Sequence, residues 1–311
     1  MTTILTEVGW EDENGNPLGT WTNQAELLDW DDEITVASDV VAKTLGGDDT
    51  IIGSDGLKGI DNSGTIITSD GRDTISGRGF TGINNSGSIV TGRGHDTISG
   101  SAFGVEGILN SGTISTGNGN DTISAGSIRF GTAIKNSGTI TTGDGNDLIS
   151  GTAYGGIVNE GTISTDNGHD TISGSGGFAG ITNRDTILTG SGKDTIIGSG
   201  MKGILNEGTI STGNGRDIVD AFNGGFDGGG AIALEQDNDL IRGFGQQVVD
   251  GGKGFDTAEL GIAFDEHIVL GNAVDSSINI TFNDVTMSFT DIEKFDFNGQ
   301  EFTLEQLQNL I

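Results

Sequence analysis

The sequence predicts an all-β fold, a three-sided parallel β-helix with about 24 residues per coil, on three observations: a repeat, an isoleucine rhythm and a composition. The stretch Thr116-Gly-Asn-Gly-Asn-Asp-Thr-Ile-Ser124 recurs down most of the chain as G-x-G-x-D-T-I-S. Its aspartate falls at Asp49, Asp73, Asp96, Asp121, Asp147, Asp170, Asp194 and Asp217, with successive gaps of 24, 23, 25, 26, 23, 24 and 23 residues. Weaker echoes follow at Asp239 and Asp256. A fixed period in the twenties marks a solenoid, in which one repeat is one turn of chain that cannot bury its apolar face alone. Between successive copies lies a second phrase, G-I-x-N-[SE]-G-[TS]-I-x-T, at residues 59–68, 82–91, 107–116 and 203–212 among others. Each coil therefore carries three isoleucine positions, such as Ile75, Ile83 and Ile89, before Ile98 opens the next set. Three inward isoleucines separated by glycine-containing corners give three short strands per coil.

Composition sets the limits of the fold. With 57 Gly, one Pro (Pro17), 32% hydrophobic and 6% aromatic residues, the chain cannot fill a wide globular core. A core one isoleucine thick, repeated coil after coil, needs far less. The net charge of −31, from 45 acidic against 14 basic residues, excludes nucleic acid and anionic membrane as natural partners. There is no cysteine, hence no disulfide framework and no thiolate metal site. No apolar run approaches the roughly 18 residues that a membrane-spanning helix requires. The opening MTTILTEVGWEDENG lacks the basic and apolar regions of a Sec-type signal peptide.

Taken in order, residues 1–44 do not repeat and hold all three tryptophans, Trp10, Trp21 and Trp30, with a short helix expected over residues 23–28. An N-terminal cap is their expected role, because the first coil of a solenoid exposes an apolar end. The coils are expected over 45–258, regular to about 222 and degenerate beyond. From residue 259 the pattern changes to alternating strands, HIVLGN, SINITFND, VTMSFT and EKFDFNGQEFT, and Thr303 can N-cap a terminal helix in LEQLQNLI with Glu305 near its positive end. This stretch, 259–311, is expected to cap the last coil and block edge pairing.

The repeated turn has a chemical reading. Glycine at two alternate positions, as at Gly117 and Gly119 or Gly143 and Gly145, lets the chain take positive φ and leaves the main chain uncovered. Stacking such turns at the strand spacing of about 4.8 Å brings the aspartates and main-chain carbonyls into one column. Oxygen-only ligands suit a hard cation, Ca²⁺ above all. The candidate metal ligands are thus Asp49, Asp73, Asp96, Asp121, Asp147, Asp170, Asp194, Asp217, Asp239 and Asp256, with Gly117, Gly119, Gly143 and Gly145.

On these residues the sequence resembles the RTX, or haemolysin-type, calcium-binding repeat, G-G-x-G-x-D-x-U-x. Gly117, Gly119, Asp121 and Ile123 fall on that pattern, with Thr116 where its first glycine would stand. The N-S-G-T-I phrases are similar to those of secreted adhesin-type β-helices. The resemblance implies several bound Ca²⁺ ions, folding on Ca²⁺, an extracellular location and type I secretion read from an uncleaved C-terminal signal in 259–311. It also implies a structural, adhesive or carbohydrate-binding module that meets extracellular polysaccharide or a cell surface. The sequence departs from the family in one respect: the family's two-sided roll has two such turns per coil, whereas this chain has one.

Three further columns run in phase. Asn62, Asn85, Asn110, Asn136, Asn159, Asn183 and Asn206 each follow an inward isoleucine by two residues, so their amides point inward and are expected to form a hydrogen-bonded structural ladder. Leu57, Phe80, Val105, Tyr154, Phe178 and Met201 form an apolar column directed outward or into a corner, read as corner packing or as a binding stripe. Thr74/Ser76, Thr97/Ser99, Thr122/Ser124 and Thr171/Ser173 make an outward array that looks like those of ice-binding β-solenoids, although Thr is also simply a good surface strand residue.

A polysaccharide lyase or epimerase on a β-helix is the enzymatic alternative. Such chemistry needs a base beside a charge stabiliser. His95 and His169 occupy the turn position before the aspartate, where Asn120, Lys193 and Arg216 stand in other coils, and read as interchangeable surface residues. Lys58, Lys135, Lys202, Arg129 and Arg184 are scattered over different coils, and Tyr154 is the only tyrosine. No catalytic residue is assigned from the sequence.

Overall fold

The structure is a computed structural model that describes residues 2–6, 9–11, 17–19, 26–27, 33–36, 41–43, 46–274 and 276–311, with side chains over 46–54, 56–271 and 276–311. The described residues form a parallel β-solenoid with three faces. In one coil the first face is Thr122–Ser127, the second Thr132–Asn136 and the third Thr139–Thr141. Each strand pairs in parallel with its copies one coil away, and the isoleucines stay in register although the ladder shifts at the corner near Ser54–Gly56 and Ala153–Gly155. Ile123 lies opposite Ile98 and Ile149, Ile134 opposite Ile108 and Ile157, and Ile140 opposite Ile114 and Ile163.

The register follows from alternation. A strand of the form Thr-Ile-Ser puts its isoleucine on one side of the pleat and its hydroxyls on the other, and a one-residue slip would turn every isoleucine outward. From Ile60 to Ile210 the inward isoleucines of all three faces are fully buried and form one continuous core. β-Branched side chains stack well on such a surface.

Coil geometry begins before the sequence repeat does. Glu26–Leu27, Glu33–Val36 and Val41–Lys43 pair in parallel with Thr50–Ile51, Ile60–Asn62 and Thr65–Ile67, one strand for each face. The helix expected over 23–28 is corrected at Glu26 and Leu27, which are strand, while 23–25 and 28 lie outside the described residues. Pairing with Thr50 and Ile51 outweighs a weak local helical preference there. Trp21 and Trp30 also lie outside the described residues, and Trp10 is described only as part of the strand Gly9–Glu11.

The solenoid narrows toward its C-terminal end. After Phe226–Gly228 the second face is reduced to a single bridge between Phe226 and Gly245, while Leu240–Arg242 and Val248–Asp250 continue the first and third faces. Accordingly only 17 residues separate Asp239 from Asp256. Antiparallel strands Ile268–Val274, Ser277–Phe282 and Val285–Thr290 follow, and the last of these pairs in parallel with Val248–Asp250. Lys294–Phe297 in turn pairs in parallel with Thr257–Glu259, so the end region continues the coil stack. Its aromatic residues Phe289, Phe295 and Phe297 replace isoleucine in the closing layer. The helix Leu304–Gln308 is capped by Thr303, whose hydroxyl accepts from the Gln306 amide while the Gln306 side chain accepts from the Thr303 amide. Among the described residues no helix is long and apolar enough to cross a membrane.

A candidate cation column at the glycine corner

The corner between the third and first faces carries the repeated turn. Its first glycine is left-handed, with φ of +92° at Gly117 and +90° at Gly143, and its second lies at +150° at Gly119 and +149° at Gly145. Close approach makes glycine necessary at both. A Cβ at Gly117 would stand 1.7 Å from the Gly92 carbonyl oxygen, and one at Gly119 would stand 1.3 Å from that of Gly94. The main chain here is less free than the sequence suggests, because the amides of Gly119 and Gly145 donate to the carbonyls of Asp144 and Asn167 in the following coil.

All ten predicted aspartates, Asp49, Asp73, Asp96, Asp121, Asp147, Asp170, Asp194, Asp217, Asp239 and Asp256, are buried. They stand in single file. The amide of Asp73 donates to Oδ1 of Asp96 at 2.8 Å, Asp96 to Asp121 at 2.8 Å, and Asp121 to Asp147 at 2.8 Å. The chain of bonds continues to Asp239, whose amide donates to Oδ1 of Asp256 at 2.7 Å. Glu293 closes it by accepting the Asp256 amide through Oε2 at 2.6 Å, a role that no repeat signal marks in the sequence.

The second carboxylate oxygen is different. Oδ2 is buried without a well-formed hydrogen bond in every one of these residues from Asp49 to Asp256. A buried oxygen left unpartnered is costly, more so when it is charged. Burial is the chief cause that pushes the carboxyls of Asp73, Asp121, Asp147, Asp170, Asp194, Asp217 and Asp256 up to about 6, and Asp96 upward as well. The amide that each Oδ1 accepts acts in the opposite direction.

A buried threonine five residues before the aspartate also acts in the opposite direction. Thr68, Thr91, Thr116, Thr142, Thr165, Thr189 and Thr212 each lie beside the carboxyl of their own coil and lower its pKa. Most of these hydroxyls also donate to the main chain of the next coil, as Thr91 does to the Thr116 carbonyl at 3.0 Å, so one proton serves both that carbonyl and the carboxylate beside it. At Asp239 the threonine is replaced by buried Leu234, and there the carboxyl is pushed up to about 8, chiefly by burial. The threonine column is visible in the sequence as the Thr that opens T-G-N-G-N-D.

Could the column hold a cation? The donors are oxygens only, the unpartnered ones are buried, and the fit beside the second glycine is tight. A Cβ at Gly168 would lie 3.0 Å from Asp170 Oδ1. Among the described residues no three carboxylate or imidazole groups converge on one point. An ion held here would therefore be shared between successive aspartates, with main-chain oxygens or water completing the six to eight ligands that Ca²⁺ takes. Gly117, Gly119, Gly143 and Gly145 shape this corner by letting the coils approach.

Outside the aspartates runs a second file that the sequence reading missed. His95 Nδ1 accepts the Asn120 amide, Asn120 Oδ1 the Asn146 amide, Asn146 Oδ1 the His169 amide and His169 Nδ1 the Lys193 amide, each at 2.8 Å. His95 and His169 are thus acceptors, equivalent to Asn and not to the Lys or Arg of neighbouring coils. The signal was present in the frequency of Asn and His at this position.

The asparagine ladder forms as expected. Asn62 Nδ2 donates to Asn85 Oδ1 at 2.7 Å, and the relay passes through Asn110, Asn136, Asn159 and Asn183 to Asn206. Gln247, absent from the predicted column, ends it by accepting from Asn206 at 3.1 Å; its longer side chain spans the break where the second face is lost. Leu57, Phe80, Val105, Tyr154, Phe178 and Met201 are exposed, which places this column outward at the corner between the first and second faces. The Thr/Ser files lie on the outer side of the first face, partly exposed. Of the scattered cations, Lys58 pairs with Asp61, Lys202 with Asp227, and Lys135 and Arg184 with Glu160.

The fold defines a parallel β-solenoid. Neither protein-family models nor curated proteins give a match to this chain, so the likeness to RTX repeats rests on the motif residues.

Proposed function

We propose that the chain is a secreted, calcium-binding β-solenoid that folds on Ca²⁺ and serves outside the cell as a structural or adhesive module. The observation that carries this reading is the file of buried aspartate Oδ2 atoms without partners. At neutral pH a row of carboxylates one strand spacing apart needs counter-charge, and only protons or cations can enter such a row. Without it, mutual repulsion and desolvation act against a core only one isoleucine thick, which must also offset the chain entropy of an ordered coil. With Ca²⁺ bound between coils, binding free energy becomes folding free energy. A Ca²⁺-poor cytosol would then keep the chain unfolded for export, and the Ca²⁺-rich exterior would fold it.

The test is far-UV circular dichroism of chelator-stripped protein during a Ca²⁺ titration at about pH 7.5, where a carboxyl near 6 is mostly ionised, with Mg²⁺ as control. A cooperative coil-to-β transition with Ca²⁺ alone is expected. A stripped protein that is already fully β, with a melting temperature indifferent to Ca²⁺, would overturn the reading.

A further inference from the structure

Between Asp49 and Asp217 all variation in coil length is confined to one corner. From the second-face isoleucine to the next aspartate is 13 residues in every coil from Ile60–Asp73 to Ile204–Asp217, whereas from aspartate to second-face isoleucine the distance runs from 10 to 13. Insertions that gather on one edge of a solenoid commonly mark its binding face. The longest insertion, in the coil after Asp121, pushes Ile128 and Phe130 outward to 80% and 89% exposure. Together with Arg129, Tyr154 and Gly177 they wall a cleft of about 500 Å³.

The same corner carries a file of exposed rings parallel to the solenoid axis. Phe80 and Phe103 meet edge to face at 6.3 Å, Phe130 meets Tyr154 at 5.5 Å, and Tyr154 stacks on Phe178 at 6.3 Å. Space is kept for them, since a Cβ at Gly177 would lie 3.0 Å from the Tyr154 ring. Lys202 Nζ sits 5.5 Å from the centre of the Phe178 ring. Charge is distributed against the trend of the molecule. The corner segments between Gly53 and Gly203 carry Lys58, Arg78, Arg129 and Lys202 against only Asp55 and Glu106, in a chain whose net charge is −31. Arg78 and Arg129 are exposed and make no ion pair among the described residues.

We propose that this stripe of rings and cations binds an acidic polysaccharide chain laid along the solenoid axis, the apolar faces of its sugars on the rings and its carboxylates on Arg129 and Arg78. A single file of aromatic faces suits an extended polymer whose units present one apolar face each, and the interleaved cations select for anionic units. The inference deepens the adhesive reading above, but it rests on a different corner from the aspartate file, so the two can fail separately.

The experiment is isothermal titration calorimetry of the full chain in Ca²⁺-containing buffer with hexagalacturonate, and with cellohexaose as the neutral control. Circular dichroism verifies that each variant is folded. Hexagalacturonate is expected to bind at least tenfold more tightly than cellohexaose and more weakly at high salt. Tyr154→Ala and Arg129→Gln are each expected to weaken it about tenfold, whereas Arg216→Gln, at the aspartate corner, leaves it unchanged. No heat with either glycan, equal binding of both, or binding indifferent to Tyr154→Ala and Arg129→Gln would overturn the proposal. So would sedimentation showing that the stripe is instead covered by a second copy of the chain, with association lost in Phe130→Ser. A protein that binds hexagalacturonate yet ignores Ca²⁺ refutes the cation column alone.

Discussion

The amide of Asp121 donates to Oδ1 of Asp147 one coil further on, at 2.8 Å, while Oδ2 of both residues stays buried and unpartnered. Each aspartate is thus fixed by one oxygen to the main chain and left with the other oxygen unsatisfied. One residue type serves two ends: it joins coil to coil, and it creates a demand for protons or cations.

The pH dependence of the metal-free protein follows from the raised carboxyls. A carboxyl at about 6 in the folded chain, such as Asp121 or Asp170, against roughly 4 when unfolded, holds its proton more tightly when folded. Its contribution to stability is full below the unfolded value and is lost as pH rises through about 6. Chelator-treated protein should therefore be folded, with a cooperative melting transition, at about pH 5 and lack that transition at about pH 8, where saturating Ca²⁺ should restore it. Thermal denaturation at both pH values, with and without Ca²⁺, checks it.

Asp239 stands apart: burial raises it most, the carboxylates of Asp217, Asp256 and Asp237 raise it further, and Leu234 stands where a threonine lowers the other carboxyls. Leu234→Thr is expected to bring the Asp239 carboxyl from about 8 toward the value near 6 of Asp217. Carboxyl ¹³C chemical shifts followed through a pH titration read this directly.

Backbone strain gives opposite effects at two copies of the repeated turn. Glu235 occupies the first-glycine position with φ +79°, where a non-glycine residue is strained by roughly 1–2 kcal/mol. Glu235→Gly should stabilise the protein by about 0.5–1 kcal/mol after the added unfolded-state entropy of glycine is subtracted. Gly119→Ala should destabilise it severely, because the new Cβ meets the Gly94 carbonyl oxygen at 1.3 Å and main chain must shift. Urea unfolding midpoints of the two variants should move in opposite directions.

In the asparagine ladder, Asn136→Ala removes the acceptor of Asn110 and the donor to Asn159 together. Leaving buried amide groups unpaired costs about 1–3 kcal/mol each. The expected loss is at the upper end of that range or beyond, read as a lower midpoint in the same urea experiment.

Much of this was legible in the sequence, for a physical reason. In a solenoid every coil faces the same problem as its neighbours, so the periodic Ile75, Ile83 and Ile89 announce three faces, and Asn85 or Asp96 announces a column. What repeats can be read. What occurs once could not: Gln247 at the end of the asparagine ladder, Glu293 at the end of the aspartate file, and the strand at Glu26–Leu27 that pairs without sharing the motif. The acceptor role of His95 and His169 was hidden by the mixture of side chains at their position, some of which accept an amide and some of which cannot.

Whether cations satisfy the buried aspartate oxygens is decided by calorimetric counting of Ca²⁺ on the stripped chain at about pH 8 and about pH 5, beside the variant Asp147→Asn. Several ions per chain are expected at the higher pH, weaker binding at the lower pH where protons compete, and fewer ions in the variant, which remains folded. A wild-type chain that binds no Ca²⁺ at either pH, or a variant that binds as many ions as the wild type, would contradict it.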